Sequence, residues 1–261
     1  MLSPWHMSST PHPQHPKNND NSVRLSKRLA EQMQCSRGEA ELFIEIGAVQ
    51  VDGHTIEQLG ARVTPEQTIT VKAGAKPEPV PPVTILLHKP ANYSVHRGSK
   101  LCALDLLVPE RWNQGDTPAP VRMLQKHFQN LECLEPIPVP ASGLTIFTQD
   151  RRIVRKLTEE ALYIEQECIA HVQGSLDAEG LEQLCNGTAI AGKRLPRIKV
   201  SWQSDNRLRF ALKGIYPDEI EAMCAGVGLR LLDLKRLRMG RISMAKLEEG
   251  QWRYTMPWER F

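Results

Sequence analysis

Ten residues in the first third of the chain set its architecture. Ala73 to Pro82 (AGAKPEPVPP) interleaves proline with small or charged residues. Each proline fixes φ and withholds an N–H, so neither a helix nor an interior strand accommodates the run. It reads as an extended polyproline spacer that rises about 3 Å per residue. The chain is therefore expected to build two modules, one on each side of the spacer. Modules held semi-rigidly apart suit a long, bent partner better than a buried small-molecule pocket.

The first module runs from Val23 to Lys72. Leu25, Leu29 and Met33 recur at helical spacing. Ser36-Arg37-Gly38-Glu39 then spells a capping box, serine at the N-cap and glutamate three residues on. A second short helix follows, with Ala40, Phe43 and Ile44 on one face and Gly47 placed to end it in the left-handed conformation. Next come a strand at Ala48–Val51, the turn pair Asp52-Gly53, and a strand at Thr68–Lys72.

Residues 1–22 carry no apolar period and are rich in Pro, His, Ser and Asn, so they are expected to be a disordered tail. The tail's His6, His12 and His15 lack a scaffold and acidic partners, and no metal site is expected there. No run approaches the roughly 18 apolar residues of a membrane helix, and no basic-then-apolar leader opens the chain. A cytoplasmic monomer is expected, with no membrane partner. The six cysteines (Cys35, Cys102, Cys133, Cys168, Cys185 and Cys224) show no metal-ligand spacing and read as reduced thiols. A net charge of +3 is mild. Any polyanion site must therefore arise from clustered cations.

Residues 83–261 alternate apolar strands with helices. Strands are expected at Val83–Leu87, Leu144–Phe147, Ile198–Trp202 and Arg207–Leu212. Helices are expected at Arg151–Glu160, Leu176–Cys185 and Asp218–Ala225. The mixture predicts an α+β domain around a mainly antiparallel mixed sheet.

VRLSKRLAEQMQCSRGEAELFIEIGAVQVDG, which opens the first module, resembles the alpha-L RNA-binding module named after the fourth small-subunit ribosomal protein. The resemblance implies an RNA-facing surface made by the two helices and the turn between them. By position it assigns phosphate contacts to Arg24, Lys27, Arg28 and Arg37. Gly38 stands where the family commonly has a second basic residue. Glu31, Glu39, Glu41 and Glu45 keep the block from being basic overall.

The stretches TILLHKP (84–90), SGLTIFTQD (142–150) and LKRLRMGRISMAKLEEGQWRY (234–254) are similar to bacterial ribosomal-RNA pseudouridine synthases of the RsuA and RluF type. With the alpha-L module and spacer, the likeness spans nearly the whole chain beyond the tail. It implies isomerisation of a flipped-out uridine without cofactor or metal. In that family an aspartate attacks, a tyrosine packs on the base and an arginine pairs with the aspartate. Counting back from Ser142-Gly143-Leu144, the aspartate position holds Pro138, and no Asp or Glu lies between Pro136 and Gln149. Glu135 sits three residues too early. The tyrosine position holds Cys168, with Tyr163 five residues away. The arginine position holds Glu221, in a segment (Asp218–Met223) whose family arginines have become acidic. Asn92 replaces the glycine of the family's Lys-Pro-x-Gly. Such a cleft is expected to be inert, since losing a nucleophile costs on the order of 10⁴ to 10⁶ in turnover. Asp105 reads as a surface charge, and Asp150 as the cap of the following helix.

Binding chemistry survives. Arg230, Lys235, Arg236, Arg238 and Arg241 crowd one segment against Asp233 alone, and Lys89 and Arg97 extend the expected patch. Arg151, Arg152, Arg155 and Lys156 form a further basic group that a solvated helix face explains. The expectation is an RNA-binding protein, with ribosomal RNA the implied partner. Two alternatives stay open. One is an active synthase with a rearranged nucleophile, which requires an acid near the cleft. The other is a scaffold whose acidic Asp218–Glu221 stretch meets a basic partner such as a ribosomal protein.

Overall fold

The computed structural model describes residues 21–115, 122–187, 189–190 and 192–261. Residues 1–20 of the expected tail, including its three histidines, lie outside the described residues. Two compact units form.

The smaller unit opens with β1 (Val23–Arg24), α1 (Leu25–Met33) and α2 (Arg37–Glu45). It continues through β2 (Val49–Val51), β3 (His54–Ile56), β4 (Arg62–Val63) and β5 (Ile69–Val71). Leu25 and Leu29 of α1 pack with Ala40, Phe43 and Ile44 of α2, Val49 and Val51 of β2, and Ile69 of β5. The spacing that predicts each helix is thus the spacing that buries it. Ser36 accepts from the Glu39 N–H and Glu39 accepts from the Ser36 N–H, completing the capping box. Gly47 ends α2 at φ 62°, and Asp52 (φ 51°) and Gly53 (φ 81°) make the left-handed turn that sets Val51 opposite His54. Residues 73–82 form neither helix nor strand.

Residues 122–131 belong to this unit, although they fall within the stretch 83–261 that the sequence assigns to the second module. Electrostatics explains the placement. The Arg122 guanidinium donates to the carbonyls of Ile46 (3.1 Å) and Gly47 (2.9 Å) at the end of α2 and to Glu57 (3.0 Å). The Lys126 ammonium meets Glu45 at 2.6 Å. Cations at a helix C-terminus are favourable because they face its exposed carbonyls. Burial pushes the neighbouring His127 imidazole down to about 4. Unfolded histidine takes a proton near pH 6.5. This residue's contribution is therefore fully present above that pH and lost as pH falls toward 4. Amide protection factors across residues 122–131 are expected to fall as pH drops from 6.5 to 5. Equal acid sensitivity in a His127→Leu variant would assign the effect elsewhere.

The larger unit contains β6 (Thr84–Lys89), β7 (Glu132–Leu134), β8 (Ser142–Thr148), α3 (Arg151–Glu159), β9 (Gln166–Gln173) and α4 (Ala178–Asn186). These are followed by β10 (Ala189–Ile190), β11 (Lys193–Arg194), β12 (Lys199–Ser204), β13 (Arg207–Leu212), α5 (Ile220–Gly226), β14 (Arg230–Met239), β15 (Ile242–Ser243) and β16 (Trp252–Tyr254). One sheet runs in the order β12-β13-β9-β14-β8-β6-β16, with β7 and β15 alongside. Its pairs are antiparallel except β14 with β8, where Lys235 and Arg236 lie opposite Ser142 and Gly143. The mainly antiparallel α+β expectation is met. β6 and β8 are buried at every position, whereas β13 buries every second residue and β12 buries Val200 alone. Leu184 of α4 and Ile220, Met223 and Cys224 of α5 cover the inward residues Val200, Phe210, Cys168 and Leu234. Asp150 caps α3, its carboxylate accepting from the Arg152 N–H at 2.9 Å.

Candidate functional site

The site is built on the loop that leads into β8. Glu135 enters it at φ 49°, a left-handed conformation that side chains rarely adopt and that costs on the order of 1–2 kcal/mol. By the spacing that identifies Pro138, this is the position of the glycine in the family's Gly-Arg-Leu-Asp. Asn92, at its own glycine position, likewise sits at φ 67°. Both positions thus hold a left-handed backbone of the kind that favours glycine.

The loop is held from below by Lys89. Its ammonium donates to the carbonyls of Pro90 (3.1 Å), Tyr93 (2.8 Å), Val139 (3.2 Å) and Ala141 (2.7 Å). Burial pulls its pKa down to about 8. The side chain is fully buried, so Lys89 is a tether of the loop and not the surface phosphate contact expected of it.

Arg236 is corrected in the same way. On β14 it points into the core at 1% exposure. Its guanidinium donates to the carbonyls of Leu144 (2.9 Å) and Glu135 (2.8 Å) and to the Gln166 side chain (2.8 Å), while Nη2 has no partner among the described residues. Arg236 thus ties together β14, β8, β9 and the loop.

Pro138, Cys168 and Glu221 come from three segments that share one core. Ile137, beside Pro138, packs in the same cluster as Cys168 and Ile220, beside Glu221. Pro138 offers no ionisable group. Cys168 is fully buried on β9, and burial pushes its thiol up to about 12, so it is neither a stacking surface nor a nucleophile. Glu221 is exposed on α5. Asp105 is exposed on a short 3₁₀ turn.

One carboxylate does reach this region. Glu135 is half-buried and accepts from Gln166 Nε2 at 3.5 Å. Burial raises its pKa, opposed by Arg236 and by the Gln166 hydrogen bond, and Asp218 adds repulsion. Its side chain therefore arrives by the left-handed turn at Glu135 rather than from the expected position. Gln166, only 2% exposed, is a site residue that the sequence did not mark.

The remaining basic residues divide by exposure. Arg24, Lys27, Arg37, Arg230 and Arg241 are exposed. Arg37 pairs with Glu41 at 3.3 Å, an exposed contact that leaves it free to exchange partners. Arg28 is committed to the smaller unit's own backbone, donating to the carbonyls of Thr64 and Pro65. Arg238 pairs with Glu165 and Glu167, and Lys235 is half-buried.

Known proteins resemble both units of the chain. The S4 domain family matches residues 23–69. An uncharacterized RNA pseudouridine synthase of Aquifex aeolicus is 25% identical over 234 residues, covering 88% of this chain and 92% of its own. The dual-specificity RNA pseudouridine synthase RluF of Escherichia coli K12 is 26% identical over 239 residues, covering 90% of this chain and 76% of RluF. Ribosomal large subunit pseudouridine synthase B of Bacillus subtilis is 27% identical over 246 residues, covering 90% of this chain and 93% of its own. A crystal structure of a pseudouridylate synthase shares the fold, with a TM-score of 0.56 at 18% identity over 90% of this chain and 96% of that one.

Proposed function

We propose that this chain, an S4-domain protein related to the RluF-type RNA pseudouridine synthases, binds structured ribosomal RNA in the cytoplasm without isomerising it. One observation carries the reading. By its spacing from Ser142-Gly143-Leu144, Pro138 in the loop that leads into β8 takes the position of the aspartate in those enzymes, and Cys168, at the tyrosine position, is sealed in the core. On this reading the fold is shared and the reacting group is what differs. Exposed Arg24, Lys27 and Arg37 on the S4 domain remain available to phosphates, and each such contact makes affinity fall with salt.

A second reading rests on Glu135. A carboxyl held at the loop by Gln166, with the buried Arg236 guanidinium donating to its own carbonyl, is the acid that a rearranged synthase requires. Purified protein incubated with total RNA from cells lacking the gene separates the two. Base-by-base mapping is expected to find tight RNA retention at low salt and no new pseudouridine. A new modified site that disappears in Glu135→Gln would replace the first reading with the second.

A further inference from the structure

The half of the larger sheet made of β12, β13, β9 and β14 has two unlike faces. Inward, Val200, Phe210, Cys168 and Arg236 lie side by side in one row beneath α4 and α5, together with the loop residues Ile137 and Ala141. Outward, the same registers set Lys199, Ala211, Glu167 and Arg238 in one row. Ser201, Arg209, Ile169 and Lys235 form the next, and Arg207, His171 and Asp233 the one after. Adjacent strands lie about 4.8 Å apart, so each row is a line of neighbouring side chains. These residues are distant in sequence; only the sheet brings Lys199, Arg207 and Arg209 beside the basic strand β14.

This face is open and charged. Lys199, Arg207 and Arg209 are exposed, and the small Ala211 and Ser201 leave a shallow trough between them and Arg238. Ile169, the one large apolar residue in these rows, is 8% exposed beneath its charged neighbours. Protein–protein interfaces bury aromatic and aliphatic anchors at their centre. Among the described residues of these rows no apolar side chain is exposed, the exposed Leu232 standing at the bulge beside Asp233, and the cations in these rows outnumber the carboxylates. A polyanion whose charge is spread along a backbone matches that pattern.

We propose that this outer face is a second RNA contact, binding sugar–phosphate backbone on the side of the sheet away from the loop of Pro138. The proposal rests on the RNA-binding reading above and extends it to residues that neither the S4 domain nor the cleft contains. Glu167 sets its strength. One carboxylate engages Arg209 at 2.9 Å and Arg238 at 3.2 Å, holding two guanidinium groups that otherwise meet phosphates.

The test uses the full chain and a fluorescein-labelled RNA stem-loop with single-stranded flanks, titrated across a salt series. Arg207→Glu with Lys235→Glu is expected to weaken binding about tenfold or more and to lower the salt slope by about 1 per cation removed. Glu167→Gln is expected to do the reverse, tightening binding and steepening the slope. Unaltered affinity and slope in the double variant, with the wild-type protein binding normally, overturns the outer-face contact alone. No retention of RNA by the wild-type protein overturns the underlying reading with it. Photocrosslinking of the wild-type complex needs no variant to fold. Crosslinked peptides spanning 199–209 and 230–241 support the contact, and crosslinks confined to residues 23–72 overturn it.

Discussion

Gly143→Ala is expected to destabilise the larger unit by about 4 kcal/mol, at the upper end of single-residue effects. Two causes add. Gly143 sits at φ 111°, a conformation that only glycine adopts without strain. A Cβ built there also falls 2.2 Å from the Arg236 carbonyl oxygen and 2.7 Å from its nitrogen. Both are backbone atoms of β14, so no side chain can swing away. Relief requires parting β8 from β14 where they pair in parallel. Trp112 and Trp252 stack in this unit with ring centres 5.9 Å apart, so their fluorescence in urea reports its unfolding. The midpoint should fall sharply at an unchanged m-value, and a shift worth less than about 1 kcal/mol would show that the two strands yield without cost.

The second large effect separates charge from shape at Arg236. Arg236→Ala removes three hydrogen bonds and leaves the Leu144 and Glu135 carbonyls and the Gln166 side chain facing a void. Breaking such a buried charged centre typically costs about 3–5 kcal/mol. Arg236→Met fills the space while deleting the charge. Desolvation already opposes the charged form here, and Nη2 lacks a partner among the described residues. The methionine variant avoids the void but leaves the same three acceptors unpaired, so it is expected to fall between alanine and wild type, recovering about 1–2 kcal/mol of the alanine loss. If methionine proves as damaging as alanine, the guanidinium's hydrogen bonds outweigh its desolvation.

Local chemistry was readable from the sequence because it depends on near neighbours. The Ser36–Glu39 capping box, the Asp52-Gly53 turn, the left-handed Gly47 and the Asp150 cap are each fixed within a few residues. Lys89 and Arg236 were misread for a different reason. Lys89 closes an apolar run and resembles a turn cation until β16 and β8 flank β6 and bury it. Arg236 stands among basic residues, yet it shares the alternation of Leu234, which points inward. Beyond it the strand slips register, and that irregularity turns Arg238 outward beside Glu167. The sequence alone has no means of placing the slip. Glu135 illustrates a third limit. Its distance from Pro138 along the chain argued against a role at the cleft, while the left-handed backbone brings its carboxylate within reach of Gln166.

Residues 122–131 have a consequence for biosynthesis. The smaller unit ends at Pro82 by composition, but the Arg122 and Lys126 contacts that finish it come some forty residues later in the chain. As the polypeptide leaves the ribosome N-terminus first, Lys72 meets the Gly47 carbonyl at the end of α2 before Arg122 and Lys126 have been translated, and β6 is made in between. These last contacts are thereby timed by the synthesis of the neighbouring unit, and a chain released at the spacer would carry the S4 domain with its core but without them.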